Sequence, residues 1–200
     1  EFKYDPHVWT SPKQAKIQVD NIVNTLSQAS PQAKDAFTAA GKKYTDQLED
    51  LDKWASDSMS AVPEQDRMLF SSHDAFGYFS NAYGVKFIGS ALSDFNHQQD
   101  ATSSHIDEQV KKVRESGAKA IFAENSNNSK SIEAIARAAG VKAVTSDDAL
   151  YGDSLGVPGS EGETYIGSIV HNINTLVSAW DSKQQPLPES LQEFDFAKRK

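Results

Sequence analysis

Apolar positions recur at helical spacing through the first third of the chain, then give way to short apolar runs separated by amphipathic stretches. Ser11-Pro12 opens the first stretch as a cap residue followed by proline in the first turn. Ile17, Val19, Ile22, Val23 and Leu26 then recur at near-helical intervals. Ser30-Pro31 restarts the signal, and Phe37, Ala40, Tyr44, Leu48, Leu51 and, one step on, Ala55 form one stripe. This predicts a single amphipathic helix of about 30 residues, roughly 45 Å long. That length suits a rigid strut between lobes better than a buried core element.

Val62-Pro63 ends the strut. Beyond it, short apolar runs at 68–71, 85–88, 120–123 and 141–144 predict strands, and amphipathic stretches at 75–83, 104–116, 129–139 and 163–180 predict helices. The alternation indicates α/β architecture, a parallel sheet with helices on both faces. Gly84, Gly117 and Gly140 fall just after three of these helices, where left-handed caps are expected. The polar stretch 90–103, with His97, and the glycine-rich stretch 151–163 read as loops at the strand-end face. The expected division is residues 1–29 as the remnant end of a first lobe, 30–62 as linker helix, 63–183 as a C-terminal α/β lobe and 184–200 as a peripheral tail.

Composition narrows the chemistry. The net charge of −8 disfavours nucleic acid and anionic membranes as partners and favours cations. With no cysteine, disulfides and thiolate sites are excluded, so any metal must be held by nitrogen and oxygen. No segment approaches the roughly 18 apolar residues of a membrane span, and the first residues carry no secretory leader.

Three ligand-type residues stand at informative places. His73 follows the strand at 68–71, Asp148 follows the strand at 141–144, and His7 sits in Asp-Pro-His-Val-Trp. Strand C-terminal ends are where open α/β sheets bind ligands. Two imidazoles and a carboxylate suit Zn²⁺ better than ions that prefer all-oxygen shells. Each residue also has an ordinary reading: a loop-bonding histidine at 73, a packing histidine at 7, and a turn cap at 148. Asp147 could do either job of its neighbour. Glu124 and Asn125 end the third strand and are read as partners that orient a histidine. His97 and His105 read as solvated, and His171 as a satisfied structural histidine. HExxH, P-loop and GxGxxG patterns are absent.

Taken in order, DPHVWTSP, a long helix, SSHDAFGYFSNAYGV, AIFAEN, SDDALYGDSLG and ETYIGSIVHNINTLV resemble the metal-specific solute-binding proteins of ABC transporters, the zinc and manganese receptors of cluster A-I or the lipoprotein receptor antigen group. The resemblance implies two α/β lobes joined by a rigid helix, with one metal in the cleft and four ligand positions. The second position matches His7 and the third His73, where zinc receptors tend to carry histidine and manganese receptors glutamate. The fourth matches Asp148, on the pattern of aspartate, Ala or Ser, then a hydrophobic residue. The first ligand and most of the N-terminal lobe would precede residue 1.

The expected function is therefore an extracytoplasmic receptor, periplasmic or a surface lipoprotein, without turnover. It would capture Zn²⁺ in preference to Mn²⁺ and deliver it to a membrane permease of an ABC transporter. The rival readings are a zinc hydrolase with Glu124 as general base and an adhesin or interaction module with a structural metal. A homodimer covering apolar surface of the strut is a further expectation.

Overall fold

The computed structural model describes residues 4–92 and 103–196. His97 and most of the predicted polar loop lie outside the described residues. Helix α1 (Pro12–Ala29) carries proline in its first turn, as the Ser11-Pro12 signal predicts. A 3-10 turn over Pro31–Ala33 leads into α2 (Lys34–Ser60), and the two helices pack as an antiparallel pair. They approach closely at Gly41, where a Cβ would stand 2.3 Å from Val23 Cγ2.

The second half of α2 is a core element, which differs from the expected free strut. Leu48, Leu51, Trp54, Ala55 and Met59 are buried on one face, following the i, i+3, i+4, i+7 pattern. They pack against α3 (Gly77–Tyr83) and α6 (Tyr165–Ala179). A stripe legible as amphipathic does not reveal how much of its length finds a partner.

The strands are β1 (Met68–Ser71), β2 (Lys86–Ser90), β3 (Ala120–Phe122) and β4 (Lys142–Val144). β1 pairs with β2 and β3 with β4, both parallel. β1 contacts β3, and Glu124 N donates to Ser72 Oγ at 3.1 Å, so the two ladders lie edge to edge.

Side-chain alternation along the strands builds two cores. Leu69, Ala120, Phe122 and Val144 point into one, with α2, α3 and α6. Phe70, Ile121 and Ala123 point into the other, with α4 (Ser103–Ser116) and α5 (Lys130–Ala139). Helices thus cover both faces, as expected. Gly84 and Gly140 cap α3 and α5 with φ of 63° and 78°, conformations that a Cβ would penalise.

The C-terminal segment is more than a peripheral tail. Leu191 is fully buried in the first core, and the Gln185 carbonyl accepts from Trp54 Nε1 at 3.2 Å. Among the described residues no helix is long and apolar enough to cross a membrane.

Candidate metal centre

β1 ends at Ser71, and the chain turns at Ser72-His73 with both side chains buried. His73 is fully enclosed and bound twice by Glu124, itself 1% exposed. Its backbone N–H donates to Oε1 at 3.0 Å, and its Nδ1 faces Oε2 at 2.7 Å. Glu124 thus meets His73 through both carboxylate oxygens. Both its oxygens are engaged with His73, which does not suit a general base for a metal-bound water.

His7 is held in the same manner by a residue the sequence reading passed over. Asp5 Oδ1 accepts from the His7 backbone N–H at 2.9 Å and faces Nδ1 at 2.6 Å. This is an Asx-type turn built into Asp-Pro-His. The His7 and His73 rings lie edge to face, with centroids 5.2 Å apart. A carboxylate behind each Nδ1 favours the tautomer with its proton on Nδ1 and the lone pair on Nε2.

The carboxylate brought to these two nitrogens is that of Asp153, not Asp148. Asp153 Oδ1 lies 3.4 Å from His7 Nε2, and Oδ2 lies 3.2 Å from His73 Nε2. His7, His73 and Asp153 each offer a ligand atom, and these atoms lie within 4.8 Å of one another. Ligand atoms about 2.1 Å from a tetrahedral Zn²⁺ stand about 3.4 Å apart, and each nitrogen lies near that distance from its own Asp153 oxygen, His7 from Oδ1 and His73 from Oδ2.

Asp148 instead ends the 3-10 turn Ser146–Asp148 and lines a different cavity, with Lys142, Glu161 and His171. Beyond that turn Leu150 bridges Glu124 in parallel register, its N–H donating to the Ala123 carbonyl at 2.9 Å. This extended step carries the chain past the strand ends before it delivers a carboxylate. The sequence held the signal twice: Asp153-Ser154-Leu155 satisfies the aspartate–small–hydrophobic pattern as well as Asp148-Ala149-Leu150 does. Leu150 is buried and Leu155 is exposed, so the first copy is spent on packing.

Asn125, expected beside a histidine, steadies the Asp153 loop instead, its Nδ2 donating to Ser154 Oγ at 2.9 Å. Trp9 Nε1 donates to the Gly152 carbonyl at 2.9 Å, tying the His7 segment to the same loop. A Cβ on Gly152 would stand 2.7 Å from Glu124 Oε2, so the loop approaches this carboxylate as only glycine allows. His105 Nε2 lies 3.3 Å from the Ser90 carbonyl, away from the cluster.

The electrostatics favour a cation. Burial pushes the Asp74 carboxyl up, and the nearby Asp5 and Glu124 charges push the same way against the two histidines. Burial presses His73 toward its neutral form. The hydrogen bond and charge of Glu124, with those of Asp153, outweigh it and raise the His73 pKa. Several carboxylates thus surround two imidazoles, and a divalent ion bound there would relieve the repulsion among the carboxylates.

Two buried imidazoles and a carboxylate thus stand together at the strand ends of a parallel α/β unit, as a group that could hold a metal ion. The model of the zinc-uptake complex component A, periplasmic (ZnuA), matches residues 1–179, and the chain belongs to that family. It is similar to the manganese-binding lipoprotein MntA of Bacillus subtilis, 39% identical over 178 residues, which is 88% of this chain and 58% of that protein. It is also similar to the zinc-binding protein TroA of Treponema pallidum, 32% identical over 181 residues, 90% of this chain and 58% of TroA. The structure of periplasmic TroA superposes with a TM-score of 0.82 at 30% identity, covering 92% of this chain and 67% of that one. The chain therefore spans somewhat over half the length of both relatives.

Proposed function

We propose that this chain captures a divalent transition-metal ion between His7, His73 and Asp153, as the metal-holding part of an extracytoplasmic receptor that passes its ion to an ABC-transporter permease. One observation carries the reading: two Nε2 atoms, each backed through Nδ1 by a carboxylate, face the two oxygens of Asp153 at 3.4 and 3.2 Å. The ion is cargo. A reversible set of three ligands, open on one side, serves capture and release better than a closed structural shell.

Within this reading Zn²⁺ is the first candidate. Imidazole nitrogen is the ligand of zinc and its later first-row neighbours, whereas manganese favours oxygen-rich shells. The similarity to a manganese-binding lipoprotein supports Mn²⁺ as the second reading. Competitive titration decides between them. Zn²⁺ should bind one ion per chain and displace Mn²⁺ at equal concentration, and both should be lost in H73A. A chain that binds Mn²⁺ more tightly than Zn²⁺ overturns the zinc assignment. A chain that binds neither overturns the receptor reading.

A further inference from the structure

Asp153 sits on a stretch without helix or strand, between the extended step at Ala149-Leu150 and α6. Two consecutive residues of α6 hold this stretch. Asn172 Nδ2 donates to the Tyr151 carbonyl and its Oδ1 accepts from Tyr151 N–H, both at 2.8 Å. The amide thereby pairs with the backbone two residues before Asp153, as a neighbouring strand would. His171 reaches both ends of the stretch: Nδ1 faces Glu161 Oε2 at 2.8 Å, and Nε2 faces the Ala149 carbonyl at 3.0 Å. The residue is 4% exposed and its ring packs edge-on against Tyr151, centroids 4.9 Å apart.

Both of these groups are acceptors. A neutral imidazole carries one N–H and would turn a lone pair toward one of them. Only the imidazolium donates to both. Thr175 Oγ1 lies at 3.4 Å from Nε2, a weaker contact than that to Ala149. The other charged groups lining the cavity beside the ring are Lys142, Asp148 and Asp195, and Tyr151 is the further titratable group against it.

We propose that His171 is a positioning residue for Asp153: it staples the two ends of the ligand-bearing loop to α6. The inference rests on the reading of Asp153 as a ligand. Without the staple, the Ala149 and Glu161 ends separate and the carboxylate leaves the line between the two Nε2 atoms. E161Q keeps the positioning contact, because its amide can donate to Nδ1 while Nε2–H keeps Ala149, and E161A removes it.

The test uses the metal-free chain as wild type, H171A, E161Q and E161A. Amide-exchange protection follows residues 152–160, and calorimetry reads Zn²⁺ and Mn²⁺ affinity. Wild type should protect the loop. H171A should lose that protection and bind both ions about tenfold more weakly, the usual effect of removing an orienting partner. E161Q should keep the protection, whereas E161A, which leaves nothing to meet Nδ1, should lose it. If H171A does not fold, the comparison of E161A with E161Q decides. A folded H171A with native loop protection overturns the staple, as does an E161A that matches E161Q. If wild type binds neither ion, the receptor reading fails, while amide exchange still judges the staple.

Discussion

Replacing Glu124 with glutamine changes one atom of the centre and keeps its shape. The native carboxylate accepts from His73 N–H at 3.0 Å and faces Nδ1 at 2.7 Å, in a site 1% exposed. A glutamine has one carbonyl oxygen. If it stays on the backbone N–H, the amide NH₂ faces Nδ1, and the ring responds by carrying its proton on Nε2. That is the nitrogen aimed at Asp153 and at the ion. A metal must then expel the proton and leave Nδ1 against a donor. A hydrogen bond to a charged group is worth about 1.5–3 kcal/mol and a neutral one about 0.5–1.5 kcal/mol, so the exchange alone costs about 1–1.5 kcal/mol. That is roughly tenfold in affinity, and the reversed tautomer extends it toward about 100-fold.

The same variant tests the pH behaviour. His73 has a raised pKa in the folded chain. The stability this contributes is fully present below the ordinary histidine value of about 6.5 and is lost as pH rises through the folded value. Metal-free wild type should therefore melt higher at pH 6 than at pH 8 through this group, and E124Q should lose most of the difference. Metal binding runs the other way, because a proton on Nε2 excludes the ion. Calorimetric titration and thermal melts at both pH values check this. An E124Q protein with wild-type affinity and an unchanged pH difference in Tm would refute the argument.

Three further outcomes are expected. D153A should weaken Zn²⁺ binding by at least about 100-fold, the loss of a first ligand exceeding that of an orienting partner, whereas D148A should stay within about twofold; equal effects in equilibrium titration would reverse the assignment of the carboxylate. G152A should cost about 1–3 kcal/mol in chemical denaturation, since its Cβ would press on Glu124 Oε2, and it should weaken metal binding through displacement of His73. L51A opens a cavity at a fully buried position between α2 and the first core and should cost about 2–5 kcal/mol by the same denaturation assay.

Much of the architecture was legible because its signals are local. The βα alternation, the proline in the first turn of α1 and the glycine caps each depend on a few neighbouring residues. The misread features depend on partners distant in sequence. The second half of α2 is a core helix because α3 and α6 meet its stripe, and Leu191 is buried because the chain returns beneath Trp54. Neither encounter leaves a trace in the spacing of α2 or of residues 184–196.

The candidate centre divides along the same line. His7 and His73 were readable from their places in short motifs, since Asp5 orients one from within its own turn and the end of β1 presents the other. The aspartate was not. Two copies of one pattern lie five residues apart, and a short pattern cannot tell which copy the chain spends on packing. That choice belongs to the tertiary structure: Leu150 is drawn into the core beside Glu124, and the chain must run on past the strand ends before a carboxylate can face two imidazoles. Residue types and periods determined which elements form and which atoms could bind a cation. Only the packing of distant segments decided which of those atoms meet.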